Sequence, residues 1–379
     1  MEPPIATSSS PKTPPIAFVV PGRLDQINGG YLYDRRMVEG MQAAGRRVAV
    51  AELPGKFPEG DAVARRAAGA ILSCLPDNMA LAIDGLALPA FTDCLAREAR
   101  RLRVVGMIHH PLALETGLEP AEARRLAELE RWCVTTMRGV ICPSPGTARA
   151  IAGYGLARDR IVVVPPGTAA PLSLGAASQG AASLEAAPRG AGPMRLLSVG
   201  TVTPRKGHVL LIEALATLTR LSWRLVIVGS LERDPPTVAA LRAAIDRAEL
   251  GHRVELTGEW PSERLSAAYA AADLFVLPSF HEGYGMVYAE AMAHGLPILA
   301  TTAGAIPDTV PSSAGMLVPP GDRSALAEAL RRLLTEADTL ARLRQGAAEA
   351  GAALPDWPRA IELWTTAFDR LTGGRATAR

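Results

Sequence analysis

Short apolar runs alternate with longer amphipathic stretches along almost the whole chain. "IAFVV", "RVAVAEL", "MALAIDG", "RVVGMIHH", "GVICPS" and "RIVVVPPG" read as strands. Between them "GGYLYDRRMVEGMQAAG", "AVARRAAGAILSCL", "PAFTDCLAREARRL" and "AEARRLAELERWCVTTM" carry apolar residues at helical spacing. Strands buried on both faces, in regular alternation with helices, predict a parallel sheet covered on each side. The pattern stops over residues 169–193, where alanine, glycine and serine replace large apolar anchors, and restarts with "RLLSVG", "RLVIVGS", "RVELTGE", "LFVLPS", "LPILATT" and "GMLVPPGD". Two α/β units are therefore expected, over 16–168 and 194–354, with a disordered tail over 1–15 and a linker over 169–193. Residues 355–379 place Trp357, Ile361, Trp364 and Phe368 on one stripe of a final helix, expected to cross back onto the first unit. Two such sheets joined by a linker form a cleft, the usual place for a ligand.

Composition narrows the class. A chain of 379 residues suits two domains, 48% hydrophobic and 21% charged residues suit a globular one, and a net charge of +2 argues against nucleic acid as a partner. No run approaches the ~20 apolar residues of a membrane span. The start of the chain shows no secretion signal, so a cytoplasmic protein is expected, with at most peripheral contact at the inner membrane face. Cys74, Cys94, Cys133 and Cys142 lie far apart, as reduced core thiols would. Arg97, Arg100 and Arg101 are expected on one helical face, either solvated or as a patch for anionic lipid headgroups.

The chemistry concentrates in "HEGYGMVYAE", residues 281–290. The loop closes a strand and opens a helix, so Gly283 and Gly285 would let backbone approach an anion at the helix start. Glu282 and Glu290 then flank a phosphate site, which suits a nucleotide sugar, with Glu290 at ribose hydroxyls and Glu282 at the sugar. Of 40 basic residues only Lys12, Lys56 and Lys206 are lysine, so Lys206 in "GTVTPRKGH" stands out as a compact cation in an arginine-using chain.

"HEGYGMVYAEAMAHGLPILATTAGAIPDTV", with "AGMLVPPGD" and "ALAEALRRLL", resembles the C-terminal signature of retaining glycosyltransferases of family 4, in which two glutamates are separated by seven residues. "GTVTPRKGHVLLIEAL" resembles the lysine-glycine element of that family, and "QINGGYLYDRRMVEGMQAAGRRVAV" is similar to its glycine-rich loop and first helix. The resemblance implies the GT-B architecture: two Rossmann-like parallel-sheet domains facing across a cleft. It further implies that Lys206 and Arg205 hold the donor diphosphate, that Gly283, Tyr284 and Gly285 supply amides to it, that Glu290 binds ribose, and that Glu282 lies by the sugar. A histidine at the end of "RVVGMIHH" would contact the donor sugar, His109 fitting the strand end better than His110. Gly29 and Gly30 would approach the donor or acceptor. The family often places an arginine where this chain has Thr201, so one phosphate cation is missing and Arg205 is expected to compensate.

No metal-ligand spacing is found, and no cofactor is expected besides the donor substrate. The implied activity is transfer of a hexose, with retention, from a nucleotide-diphosphate sugar, uridine ranked ahead of guanosine, to a lipid, saccharide or other small acceptor. A nucleotide-sugar epimerase of the same architecture and a non-catalytic sugar-nucleotide-binding protein are the alternatives.

Overall fold

The computed structural model describes residues 15–171 and 192–373, apart from Ile27 and Thr116. The expected tail and nearly all of the expected linker lie outside the described residues. The first half runs β1 (Ile16–Pro21), α1 (Gly29–Ala43), β2 (Val48–Leu53), α2 (Ala62–Cys74), β3 (Ala80–Asp84), α3 (Leu95–Glu98), β4 (Arg103–Met107), α4 (Pro120–Thr136), β5 (Gly139–Cys142), α5 (Pro145–Ala152) and β6 (Ile161–Val163). Its six strands lie in the order β2-β1-β3-β4-β5-β6, and every pairing is parallel.

The second half runs β7 (Met194–Val199), α6 (His208–Leu215), β8 (Trp223–Val228), α7 (Pro235–Arg247), β9 (Val254–Leu256), α8 (Ser262–Ala271), β10 (Leu274–Val276), α9 (Met286–Ala293), β11 (Ile298–Thr301), α10 (Ile306–Thr309), β12 (Gly315–Val318), α11 (Arg323–Thr335) and α12 (Ala337–Ala352), and α13 (Trp357–Thr372) closes the chain. Its strands, also all parallel, lie in the order β12-β11-β10-β7-β8-β9. Strand order reverses between β1 and β3 in one sheet and between β7 and β10 in the other. Connections leave such a pair toward opposite faces, so a crevice opens at the carboxyl ends of these strands. Both crevices carry the residues of interest.

Each sheet is buried on both faces by helices, as its apolar strands require. Phe18, Val20, Met107 and Ile141 of the first sheet form a core with Met37 and Met41 of α1 and with Ala360, Trp364 and Phe368 of α13. The final helix thus packs on the first half, although the chain reaches it only after the whole second half. Asp356 caps its start by accepting from Arg359 N at 2.9 Å, and Trp364 stacks on Phe18 with ring centroids 5.8 Å apart.

Three expectations change. "PAFTDCLAREARRL" is not one helix: residues Gly85–Phe91 form a 3-10 segment with Pro89 inside it, and α3 is only four residues long. Proline has no N–H to continue an α-helical ladder, which fits the break. Arg97 lies in α3 whereas Arg100 and Arg101 fall beyond it, so the three share no helical face, and Arg101 is spent internally on Glu98 and on the carbonyls of Leu72 and Leu75. Among the cysteines, Cys94, Cys133 and Cys142 are buried and free, whereas Cys74 is exposed and belongs to no core. Among the described residues, no helix is long and apolar enough to cross a membrane.

Candidate active site

The wall supplied by the second half begins at the β7/β10 crevice. After β7 the chain turns at Gly200 and Thr201, and a single 3-10 turn, Pro204–Lys206, aims Arg205 and Lys206 at the loop that follows β10. Gly207 ends this turn at φ 70°, and a Cβ there would lie 2.3 Å from the Pro278 carbonyl, so only glycine brings the two loops this close. Lys206 Nζ lies 2.7 Å from Glu282 Oε1, Arg205 donates to Glu282 Oε2 at 3.1 Å, and Ser279 Oγ donates to Oε1 at 2.7 Å. Burial alone would raise the Glu282 carboxyl, but the charges of Lys206 and Arg205 prevail and hold it at about 2. Burial lowers Lys206 against the pull of that same carboxylate.

Glu290 sits one turn further along, on α9. Tyr269 donates to its Oε2 at 2.9 Å, and burial raises the carboxyl to about 6 despite that bond. The backbone between the two glutamates is committed in part to the fold. Thr309 donates to the Tyr284 carbonyl at 2.6 Å, and the Gly283 carbonyl accepts from Ser144 Oγ at 2.5 Å and from Thr147 Oγ1 at 3.0 Å. Ser144 and Thr147 belong to the first half, so these bonds cross the cleft.

Close approach at Gly283 seals that crossing. A Cβ on Gly283 would lie 1.9 Å from the His109 carbonyl oxygen, a position no side-chain carbon can occupy. Farther out, Arg149 pairs with Asp308 at 2.9 Å, and Arg205 and Glu115 are 3.6 Å apart. The first turns of α1 and α9 also meet: a Cβ on Gly29 would lie 3.6 Å from Met286 Sδ. Two helix N-termini, each a positive dipole end, thus meet at one place in the cleft.

On the first-half wall, His109 follows β4 and its ring rests against Gly30, where a Cβ would lie 3.2 Å from Cδ2. Its Nε2 lies 3.0 Å from Asp34 Oδ1 and 3.6 Å from Asp84 Oδ2. Asp34 comes from α1 and Asp84 from the end of β3, so the group sits at the β1/β3 crevice. Burial works against charge on the ring, yet the two carboxylates outweigh it and drive His109 upward. Burial likewise drives Asp34 up, whereas the imidazole holds Asp84 down. His110 turns away, its Nε2 3.0 Å from Glu115 and its ring centroid 5.9 Å from that of His281.

The residues singled out in the sequence thus fall into one cleft, although not always in the expected partnership. Arg205 and Lys206 both grip Glu282, so Arg205 is not a free replacement for the cation missing at Thr201. Arg233, after β8, is exposed on the second half and near enough for its charge to reach the Tyr31 phenol of the first. Sequence reasoning passed over Arg233, Ser144, Thr147, Asp34 and Asp84. The last two, with His109, offer ligand atoms within 4.8 Å of one another, a group that linear spacing did not reveal. A pocket of about 160 Å³ opens beside Glu282, lined also by Pro111, Leu114, Thr147, Arg149 and His281.

Residues 185–350 match the glycosyl transferases group 1 family, and residues 46–169 match Glycosyltransferase Family 4. The chain belongs to this family. It is 33% identical over 283 residues to a D-inositol 3-phosphate glycosyltransferase of Nocardia farcinica, an alignment that takes in 70% of this chain and 58% of the relative. It is 29% identical over 252 residues to a 2-deoxystreptamine glucosyltransferase of Streptomyces kanamyceticus, covering 65% of this chain and 60% of that one. The chain therefore spans about three fifths of the length of these relatives. Among solved structures, sucrose-phosphate synthase from Thermosynechococcus elongatus superposes with a TM-score of 0.78 at 22% identity, covering 95% of this chain and 100% of that one. Anabaena HepE in complex with UDP-glucose superposes with a TM-score of 0.71 at 19% identity, covering 94% and 99%. The two-sheet fold of the family member described here is GT-B.

Proposed function

We propose that the protein is a retaining glycosyltransferase that moves a hexose from a nucleotide-diphosphate sugar, uridine ahead of guanosine, to a small hydroxyl-bearing acceptor. The observation that carries the reading is the convergence of Lys206, Arg205, Glu282 and Glu290 on the β7/β10 crevice, directly across from His109 and the start of α1. Glu290 takes the ribose hydroxyls. The diphosphate lies between the first turns of α1 and α9, within reach of Lys206, and the hexose lies toward Glu282 and His109.

Chemistry follows from that placement. The acceptor hydroxyl oxygen bonds to the anomeric carbon as the bond from that carbon to the diphosphate oxygen breaks, and the hydroxyl proton passes to the departing phosphate. Attack on the face that the leaving group vacates retains configuration. Lys206, Arg205 and the two helix ends stabilise the developing diphosphate charge, a contribution made by preorganised charge rather than by a metal. The Gly283 crossing shuts water out. UDP is placed first because HepE is described with UDP-glucose, and cyclitol acceptors are tried first because two relatives are named for them. The pocket beside Glu282 is the acceptor entrance in this reading.

The test is a panel of UDP- and GDP-hexoses with inositol phosphate and aminocyclitol acceptors, read by nucleotide release and by the anomeric coupling of the product. An inverted product would overturn retention. Donors that neither bind nor turn over would overturn the function.

A further inference from the structure

Two buried carboxylates on one imidazole are more than a sugar contact requires. Asp34 is fully buried and Asp84 is 2% exposed, yet both face Nε2 of His109, whose side chain keeps 17% exposure at the cleft. Asp34 Oδ2 has no partner among the described residues, and Asp84 is held in place by accepting from Leu86 N at 2.7 Å. Burying a carboxylate is costly unless it is neutralised or paired with a cation: burial drives Asp34 toward its neutral form, whereas Asp84, despite its burial, is held down by the imidazole. The compensating charge is an imidazolium. The carboxylates face Nε2, so the other ring nitrogen, Nδ1, points away from them.

We propose that Asp34 and Asp84 are positioning residues that keep His109 protonated and fixed in orientation, so that the first half offers a permanent cation where the donor diphosphate joins its hexose. The inference rests on the glycosyltransferase reading for the identity of that anion, but not for the state of the ring. The 3.0 Å contact between Nε2 and Oδ1 is a hydrogen-bond distance, and it suits a shared proton. The charges that act most strongly on the ring are those of Asp34 and Asp84. Tyr33 lies edge-on with its centroid 5.8 Å away, and burial drives its phenol upward along with those of Tyr31 and Tyr284. Burial also raises the Cys142 thiol, and the charge of exposed Arg233 falls on Tyr31. From the second half it is backbone, at Gly283, that meets the His109 carbonyl. The cation is thus built from the first half alone and supplements Lys206 on the opposite wall.

The experiment follows the His109 ring by nitrogen-15 NMR across pH in the full chain, with Asp34→Asn, Asp84→Asn and His109→Gln alongside, and measures the affinity of uridine diphosphate and of uridine by calorimetry. The ring should stay protonated well past its ordinary value of about 6.5. Asp84→Asn should let it titrate near neutrality. In that variant uridine diphosphate binding should match wild type in acid and fall by about tenfold once the ring is neutral, the difference between a charged and a neutral hydrogen bond. Uridine binding should match wild type at every pH. A wild-type ring that titrates near its ordinary value overturns the proposal even if every variant unfolds. So does broadening of the His109 signals by manganese at micromolar levels, which would make the cluster a cation site. If the ring behaves as expected but uridine diphosphate does not bind, the functional reading fails and the carboxylate clamp stands.

Discussion

Lys206 Nζ is 2.7 Å from Glu282 Oε1, so the ammonium best placed to hold a diphosphate is already paired with a carboxylate. A donor must therefore share or take over that cation. Replacing Glu282 with glutamine should strengthen binding of the bare nucleoside diphosphate several-fold while depressing turnover, since the carboxylate repels phosphate but orders the sugar end. Calorimetry with uridine diphosphate beside a transfer assay checks this, and unchanged affinity would mean that Lys206 serves Glu282 alone.

The same pair has a pH signature in stability. Glu282 is held at about 2, below the ordinary glutamate value of 4.5, so its contribution is complete above pH 4.5 and is lost as pH falls through about 2. Wild type should lose stability relative to Glu282→Gln over that window, as read from urea midpoints.

Lys206→Ala should remove a charge-assisted contact to phosphate and cost about 1.5–3 kcal/mol in uridine diphosphate affinity. Uridine should bind as before. Lys206→Arg should restore only part of the loss, because a planar fork cannot reproduce a compact ammonium at this depth. Equal losses for nucleoside and diphosphate would place Lys206 at the wrong end of the donor.

Burial raises Glu290 to about 6, which gives it a titration inside the working range. An ionised carboxylate accepts from ribose hydroxyls more strongly than a protonated one. Nucleotide affinity should thus rise as pH increases through about 6, and Glu290→Gln should flatten this rise. Binding isotherms at a series of pH values decide it.

A Cβ on Gly283 would stand 1.9 Å from the His109 carbonyl, so Gly283→Ala should hold the two halves apart without unfolding either. Solution scattering should show a larger radius of gyration than wild type, and turnover should fall by about a hundredfold or more, the cost of misplacing reacting groups by an ångström. Scattering curves that superpose would show that the crossing bends around the added carbon.

Much of this arrangement can be read before any coordinates. Lys206, Glu282 and Glu290 lie on two short stretches whose local pattern of strand, glycine turn and helix already fixes their placement. Asp34 and Asp84 were harder because their partner is distant in the chain, yet each left a trace. Asp34 is a charge among the core-facing positions of α1, alongside Tyr31, Met37, Val38 and Met41, and Asp84 closes an otherwise apolar strand. The short 3-10 segment around Pro89 was missed because helical spacing outweighed proline chemistry. The pairing of Lys206 with Glu282 is a tertiary choice that no spacing encodes.

The closing helix sets the timetable of synthesis. Trp364 donates to Met107 Sδ at 3.4 Å across 257 positions of sequence, and Phe368 stacks on Trp364 in the same layer. A ribosome that has just released residue 168 has produced a sheet whose face still lacks Ala360, Trp364 and Phe368. The first half must therefore wait, with greasy surface open, while the second is translated and folds. The first half completes its core only once the last helix has been made, and the nascent first half is the stage at which a chaperone would be needed.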